Sequence, residues 1–103
     1  MFTGLIQETG EIASTERVAG QNRGSVTRIT IKAGNIPSEL KAGDSVAVSG
    51  VCLTALDIGE HQFSADLAQE TLERTSLKHL KAGSLVNLEL PPKAQDRMGG
   101  HVV

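Results

Sequence analysis

The chain has 103 residues, a formal net charge of −2 and 39% hydrophobic residues. This length suits one domain with a modest core, and this apolar share argues for a folded globule rather than a disordered chain. Lys and Arg are scattered, which argues against nucleic acid or an anionic membrane surface as the main partner. The single cysteine fits a reducing compartment, and no apolar run approaches the roughly 20 residues that span a bilayer. We therefore expect a soluble, cytoplasmic protein.

Alternating apolar and polar residues predict strands in the first third of the chain. Residues 5–18 contain a Thr-Gly pair, so they form one bent strand or two. Residues 25–32 (SVTRITIK) predict a strand with one solvent-exposed face. Gly34 and Pro37 end that strand, with room for one helical turn just after them.

The stretch VSGVCLTAL, residues 48–56, predicts the most interior strand of the chain. A glycine inside a strand marks a bulge or a close approach by another group, and Gly50 is interpreted in this way. Cys52 is expected to be buried, either as a small packing residue or as part of a site. Thr54 is common in strands but adds a hydroxyl group.

The remaining elements follow from the same patterns. DIGEHQF predicts a hairpin tip, and QFSADL predicts a strand that turns its apolar residues to one face. AQETLERTSL is the best helix candidate, with Glu70 and Arg74 spaced for an i,i+4 ion pair. SLVNLEL predicts a last strand with Asn87 and Glu89 pointing outward, and PPK ends it.

One sequence echo bears on the architecture. Residues 40–48 (LKAGDSVAV) resemble residues 80–88 (LKAGSLVNL), and each copy places Ala-Gly in a turn directly before an alternating strand. Two copies are too few for a solenoid, but they suit a barrel that uses one turn device twice. About six short strands with one or two short helices predict an all-β antiparallel barrel, whose closure removes exposed strand edges.

The common catalytic and metal-binding patterns are absent from the sequence. The three histidines are spread over different predicted elements without i,i+4 spacing, so with one cysteine we expect no metal site. No GxSxG elbow, P-loop or GxGxxG run occurs. Asp66 and Glu70 flank the predicted strand-to-helix junction. They are either first-turn acids favoured by the helix dipole or a polar pair that binds ligand hydroxyls together with free helix N–H groups.

Three stretches together carry a family resemblance: MFTGLIQ, SGVCLTA and ADLAQETLERTSL. Their order and separation resemble the N-terminal domain of the riboflavin synthase family, and GGH near the end resembles that family's inter-domain segment. The resemblance covers the whole chain. It implies a six-stranded Greek-key barrel that binds 6,7-dimethyl-8-ribityllumazine or riboflavin and requires no cofactor.

The resemblance also implies an activity for the longer family enzymes. They carry two tandem barrels, usually assemble as trimers, and dismutate two lumazines to riboflavin and 5-amino-6-ribitylamino-pyrimidinedione. Donor and acceptor lie face to face between barrels of different subunits. On this basis residues 1–97 form the lumazine-binding barrel and residues 98–103 begin an inter-domain segment, with the second barrel absent. We therefore expect an isolated domain that binds ligand without appreciable turnover and pairs as a homodimer.

Carried onto this sequence residue by residue, the resemblance implies ligand-binding residues in three places. These are Gly4, Leu5 and Ile6 near the start, Ser45, Cys52, Leu53 and Thr54 around the VSGVCLTAL stretch, and Asp66, Leu67, Ala68, Gln69, Glu70 and Thr71 at the junction. Cys52 and Ser45 are the candidate catalytic residues near the ring. Backbone groups of residues 66–68 pair with the pyrimidine edge, and Glu70 accepts hydrogen bonds from the ribityl hydroxyls, assisted by Thr71.

Other interpretations remain open. A non-catalytic fluorescent or carrier protein for lumazines or flavins shares this fold, and the lack of Trp and Tyr would leave a bound flavin unquenched. A flavin-binding barrel of the ferredoxin-reductase type typically shows an Arg-x-Tyr-Ser/Thr motif, whereas this chain has no tyrosine. A structural barrel without a ligand is the last alternative.

Overall fold

The computed structural model describes residues 5–19 and 25–91. Within them lie six strands: β1 (Glu8–Ala19), β2 (Ser25–Lys32), β3 (Ser45–Val48), β4 (Val51–Thr54), β5 (Gln62–Ala68) and β6 (Leu85–Glu89). One short helix, α1 (Gln69–Arg74), and two 3₁₀ turns (Ile36–Glu39 and Ser76–His79) complete the described elements. The predicted all-β fold with short helical pieces is confirmed.

The six strands form one antiparallel sheet in the order β4-β3-β6-β1-β2-β5. The sheet closes on itself through Leu56, which follows β4, and Ser64 of β5, because these two residues exchange backbone hydrogen bonds of 2.7 and 2.8 Å. Around the closed barrel β3, β4 and β5 are sequential neighbours and β2 lies beside β5, which is a Greek-key arrangement. The predicted Greek-key barrel is confirmed.

The core is formed by the inward faces of the strands. The fully buried strand residues are Ile12, Ile29, Ile31, Val46, Val48, Phe63, Ala65, Leu67, Val86 and Leu88, and Ala55 and Leu77 from the connections join the same core. The predicted alternation is therefore correct for β2, β5 and most of β6. The alternation of β6 places Glu89 on the outer face, but Glu89 is only 7% exposed, so the solvent exposure expected of an outward residue is wrong here. Glu89 pairs with Ala47 of β3 and lines the same groove as Ile6.

β1 is one bent strand rather than two strands, so the first of the two expected alternatives is correct. A Cβ atom on Gly10 would lie 2.9 Å from Ile31 Cγ2 and 2.9 Å from Leu88 Cδ1. Glycine is needed at this point because the barrel interior is already filled by the two neighbouring strands. The bend itself comes slightly later, at a register shift between Ile12 and Ser14.

The prediction of one interior strand over residues 48–56 is wrong. Ser49 and Gly50, with φ values of 47° and 85°, form a two-residue turn that joins β3 to β4, and Val48 faces Val51 across it. Positive φ at both central residues is the pattern of a type I′ hairpin turn. No atom lies within 4 Å of the position of a Cβ on Gly50, so it marks neither a bulge nor a close approach.

The two LKAG copies form the same turn, as predicted. The Lys41 N–H donates to Asp44 Oδ2 at 2.9 Å, and the Lys81 N–H donates to Ser84 Oγ at 3.1 Å. The glycines of the two turns, at positions 43 and 83, have φ values of 96° and 93°. Each turn therefore needs glycine for a left-handed backbone and a short polar side chain to close the loop.

The equivalence extends to the neighbouring strands. Ala55 accepts from the first LKAG turn and donates to it, at 2.9 and 2.8 Å, while Ile12 does the same with the second turn, at 2.8 and 2.8 Å. Ala55 directly follows β4, and Ile12 lies in β1. The barrel thus consists of two related halves, β1-β2-β3 and β4-β5-β6, each with helical turns before its last strand.

Glu8 at the start of β1 caps the first 3₁₀ turn. Its carboxylate accepts hydrogen bonds from the N–H groups of Gly34 at 2.7 Å, Asn35 at 2.9 Å and Ile36 at 2.7 Å. Asn35 itself supplies no side-chain cap, so a distant strand provides the acceptor that these N–H groups need. Partial burial raises the pKa of Glu8, but the three N–H donors outweigh it and leave the pKa below its ordinary value.

We expect Glu8→Ala to reduce the free energy of unfolding by about 1 kcal/mol at neutral pH, as for loss of a helix cap. Because the folded pKa of Glu8 is lowered, its carboxylate stabilises the fold fully above the ordinary value of 4.5. That contribution is lost as the pH falls through the folded pKa. Urea unfolding at neutral and acidic pH should therefore show a gap between parent and variant that narrows in acid.

Glu11→Ala is the matched control, because Glu11 is exposed in the same strand. Equal losses in the two variants, or a gap for Glu8→Ala that does not change with pH, would contradict the capping role.

Candidate functional site

A cavity of about 410 Å³ lies between β4 and β5, beside the start of α1. Its lining residues are Cys52, Leu53, Thr54, Leu56, Asp66, Leu67, Ala68 and Thr71. We name this cavity the β4–β5 slot. Leu53 and Leu67 at its base are buried, whereas the side chains of Cys52 and Thr54 are exposed. An apolar base with a few polar groups around it is typical of small-molecule sites.

The slot exists because β5 is unpaired along part of its β4-facing edge. Both backbone hydrogen-bonding groups of Ser64 bond to Leu56, so they point toward β4. Backbone groups alternate in direction along a strand, hence those of Asp66 and Ala68 point the same way. Among the described residues, no strand pairs with β5 at these two positions on this side. Both backbone groups of Asp66 and the N–H group of Ala68 therefore face the slot, whereas the Ala68 carbonyl, at the N-cap of α1, accepts the first hydrogen bond of that helix.

The opposite wall of the slot is the corresponding edge of β4. The Ala55 N–H donates to the Asp44 carbonyl at 2.8 Å, so the backbone of Ala55 points away from β5. By the same alternation, the backbone groups of Cys52 and Thr54 point toward β5. Two facing strand edges with free donors and acceptors can bind a flat molecule whose rim carries complementary groups, as an added strand would.

Seven of the predicted ligand residues line the slot: Cys52, Leu53, Thr54, Asp66, Leu67, Ala68 and Thr71. Ser45 is exposed and lies opposite Thr54 in the β3–β4 register, so it is next to the slot without lining it. Sequence reasoning missed Leu56, which lines the closed end. Its apolar side chain carried no signal, because its role depends on the bridge to Ser64.

The other predicted residues lie elsewhere or are not described. Gln69 and Glu70 are exposed in the first turn of α1, where the Gln69 amide donates to Glu73 at 2.8 Å and Glu70 pairs with Arg74 at 3.2 Å. Leu5 and Ile6 are exposed, and Ile6 lines a separate groove of about 270 Å³ beside β6. Gly4 lies outside the described residues, as does the GGH segment.

Asp66 lies within β5, so of the two predicted first-turn acids only Glu70 is in the first turn of the helix. The carboxylate of Asp66 accepts two hydrogen bonds from Arg28 of β2, Nε to Oδ1 at 2.7 Å and NH2 to Oδ2 at 3.0 Å. The hydrogen bond to Asp66 and its charge raise the pKa of Arg28 above its ordinary value. Arg28 was not identified from the sequence, because only the β2–β5 register places it opposite Asp66.

The expectation that Cys52 is buried is wrong. The Cys52 side chain is exposed, and Leu53 is the only β4 residue classed as buried. The β3–β4 hairpin places Cys52 opposite Ala47, on the outer face of the barrel wall. The thiol is therefore an accessible part of the slot rather than core packing.

Across residues 5–19 and 25–91, no three His, Cys, Asp or Glu side chains are grouped closely enough to hold a metal ion. Over the same ranges, no helix is both long enough and apolar enough to cross a bilayer.

The comparison with known sequences identifies the class of protein. The lumazine binding domain family model matches residues 3–91. Riboflavin synthases from Actinobacillus pleuropneumoniae and Bacillus subtilis (strain 168) are each 45% identical to this chain over 103 residues. These alignments cover 100% of this chain and 46% of each relative, so the chain spans about half the length of the curated relatives it matches.

Solved structures give the same class. LumP complexed with 6,7-dimethyl-8-(1'-D-ribityl) lumazine has a TM-score of 0.74 at 26% identity, over 91% of this chain and 49% of the LumP chain. LumP complexed with flavin mononucleotide has a TM-score of 0.73 at 27% identity, over 89% of this chain and 50% of that chain. Fold and site thus define a Greek-key barrel with a cavity of small-molecule size in its wall. The chain belongs to the lumazine-binding domain family, and the predicted resemblance is confirmed.

The exposure of Cys52 predicts its chemical reactivity. We expect the folded protein to react with one equivalent of a thiol-reactive disulfide reagent per chain, at a rate within about tenfold of the unfolded chain, because thiol reactivity follows exposure. Absorbance of the released thiolate measures this rate. The same protein in concentrated urea is the control, and a reaction that appears only after unfolding would contradict the exposed position.

Proposed function

We propose that this chain is the lumazine-binding N-terminal half of a riboflavin synthase. The observation that carries the proposal is the β4–β5 slot, a cavity of about 410 Å³ bordered by two unpaired strand edges. Its support from outside the structure is the 45% identity to riboflavin synthases over the whole chain. The proposed activity of the whole protein is dismutation of two 6,7-dimethyl-8-ribityllumazines to riboflavin and 5-amino-6-ribitylamino-pyrimidinedione.

The slot can bind the pyrimidine edge of a lumazine or flavin ring in the manner of an added strand. That edge alternates carbonyl acceptors with an imide N–H donor, which complements the backbone groups of Asp66 and Ala68. The Thr54 hydroxyl and the Cys52 thiol border the ring from β4. Thr71 of α1 also lines the slot. We therefore place the ribityl chain along α1, within reach of Glu70.

The remaining predicted site residues belong to the same proposal. Ser45, beside Thr54 in the register, and Cys52 are the candidates for acting on the ring. Leu53 and Leu67 support the ring from below, and Gln69 extends the polar rim along α1. The N-terminal residues Gly4, Leu5 and Ile6 are proposed to contact ligand as well; in the described part of the chain Ile6 lines another groove.

One such barrel binds one ligand, whereas the dismutation requires two lumazine molecules. Bringing two reactants together in the correct orientation is a large part of what an enzyme can contribute to such a reaction. We therefore propose that residues 1–97 bind one lumazine or riboflavin without appreciable turnover, and that residues 98–103 lead toward the half of the relatives that this chain does not match. The proposed assemblies are a homodimer for this domain and a trimer for the full protein, both cytoplasmic and acting without a further cofactor.

A second candidate is a non-catalytic lumazine or flavin carrier. It is consistent with the similarity to LumP, whose structures hold a lumazine, flavin mononucleotide or riboflavin. A bound flavin would also have no Trp or Tyr in this chain to quench it. The identity to LumP is 26% to 27%, however, against 45% to two riboflavin synthases. The synthase is therefore the better-supported parent.

Ligand titration tests the proposed site. We expect the parent to bind riboflavin and 6,7-dimethyl-8-ribityllumazine at micromolar concentration or below, measured by the change in ligand fluorescence. Thr54→Val keeps the side-chain shape and removes one hydroxyl, so it should weaken binding about five- to tenfold, as for one lost hydrogen bond. Glu70→Ala should weaken the binding of both ligands by a similar factor, because both carry a ribityl chain.

Glu73→Gln is the control for Glu70→Ala, because Glu73 is exposed on the same short helix and glutamine keeps an acceptor for Gln69. It should leave both dissociation constants unchanged. Failure of the folded parent to bind either ligand would refute the proposed function. Tight binding that Thr54→Val leaves unaltered would place the ligand outside the β4–β5 slot.

A further inference from the structure

Arg28 joins three segments of the barrel on its outer face. It lies in β2 and donates two hydrogen bonds to Asp66 of β5, at 2.7 and 3.0 Å. Its NH1 atom lies 3.8 Å from Oδ2 of Asp57, in the connection that follows β4. Bidentate pairs of this kind fix geometry as well as adding energy. One guanidinium group therefore contacts both sides of the join between β4 and β5.

These contacts lie next to the closed end of the β4–β5 slot. Asp66 lines the slot, and Asp57 directly follows Leu56, which also lines it and forms the closing bridge with Ser64. In the same outer row, the hydroxyl groups of Thr30 and Ser64 lie 3.0 Å apart. The ion pairs thus link the two walls of the slot at its closed end, on the outer face of the barrel.

The segment held by Arg28 has little strand pairing of its own. Leu56 and Ser64 form the isolated bridge between the end of β4 and β5. Asp57 has a φ of 44°, a left-handed conformation that Asp and Asn adopt more readily than other non-glycine residues. Loss of the Arg28 contacts would therefore let this connection, and the β4 edge before it, move away from β5.

We propose that Arg28 is a positioning residue that sets the distance between the β4 and β5 edges and so the preference of the slot between bicyclic lumazines and tricyclic flavins. This inference rests on the proposed function. A ring held by its pyrimidine edge on β5 extends toward β4, so a wider slot accommodates the longer isoalloxazine plane more easily. Arg28 acts only through Asp66 and Asp57.

The test compares the dissociation constants of riboflavin and 6,7-dimethyl-8-ribityllumazine in folded variants. Arg28→Met keeps the aliphatic stem and removes the charge. It should shift the ratio of the two constants toward riboflavin by about three- to tenfold, the scale of a coupling near 1 kcal/mol, with a changed absorption band of the bound ring. Arg28→Lys should restore part of the preference.

Two further variants make the test specific. Lys32→Met removes a cation from the same strand, where the β1 partner is an acid as for Arg28 but the β5 partner is Gln62, and should change neither the ratio nor the spectrum. Asp57→Asn alters an exposed side chain, and asparagine tolerates the left-handed backbone. It should shift the ratio in the same direction as Arg28→Met, but less, and it remains informative if Arg28→Met fails to fold.

The outcomes separate the two proposals. If the parent binds both ligands while Asp57→Asn and folded Arg28→Met keep its ratio and spectrum, the role of Arg28 is refuted and the proposed function stands. The role of Arg28 is also refuted if Lys32→Met shifts the ratio as much as Arg28→Met. If the parent binds neither ligand, the proposed function fails and this inference fails with it.

Discussion

Closure of the barrel between β4 and β5 is the constraint on which the site depends. A closed barrel pairs the backbone groups along every strand edge, and unpaired groups need water or another partner. Here the described part of the β4–β5 join is closed by Leu56 and Ser64, and beyond that bridge the two edges separate. The cavity at this point is therefore a missing piece of sheet, with donors and acceptors already directed at whatever fills it.

The internal repeat explains why the β4–β5 join stays open. Its counterpart in the first half, at the junction that follows β2, is occupied by the Glu8 carboxylate. β1 of the first half occupies the place of β4 in the second, and Glu8 lies opposite Leu88 much as Val51 lies opposite Val48. Glu8 reaches the N–H groups that follow β2, whereas Val51 has no acceptor to offer those that follow β5. The first half satisfies its strand-to-helix junction internally, whereas the junction of the second half has no side-chain cap.

Sequence patterns predicted what depends on local spacing. The apolar alternation of β2 and β5 and the two LKAG turns follow from the residues inside each segment. The errors concern pairing between segments: Ser49 and Gly50 form a turn because β3 folds back on β4, and this same hairpin places Cys52 on the outer face. Arg28 likewise gains its partner from the β2–β5 register, which no periodicity within β2 could indicate.

The position of the slot in the barrel wall also bears on the proposed dismutation. A ligand enclosed in the barrel core would be surrounded by side chains and could not meet a second ring. The slot instead has a buried base, Leu53 and Leu67, and exposed side chains at Cys52 and Thr54. A ring bound there would be fixed along its edge and remain accessible from outside, which is what a reaction between two bound lumazines requires. In this proposal, the interrupted sheet both holds one reactant and presents it to the other.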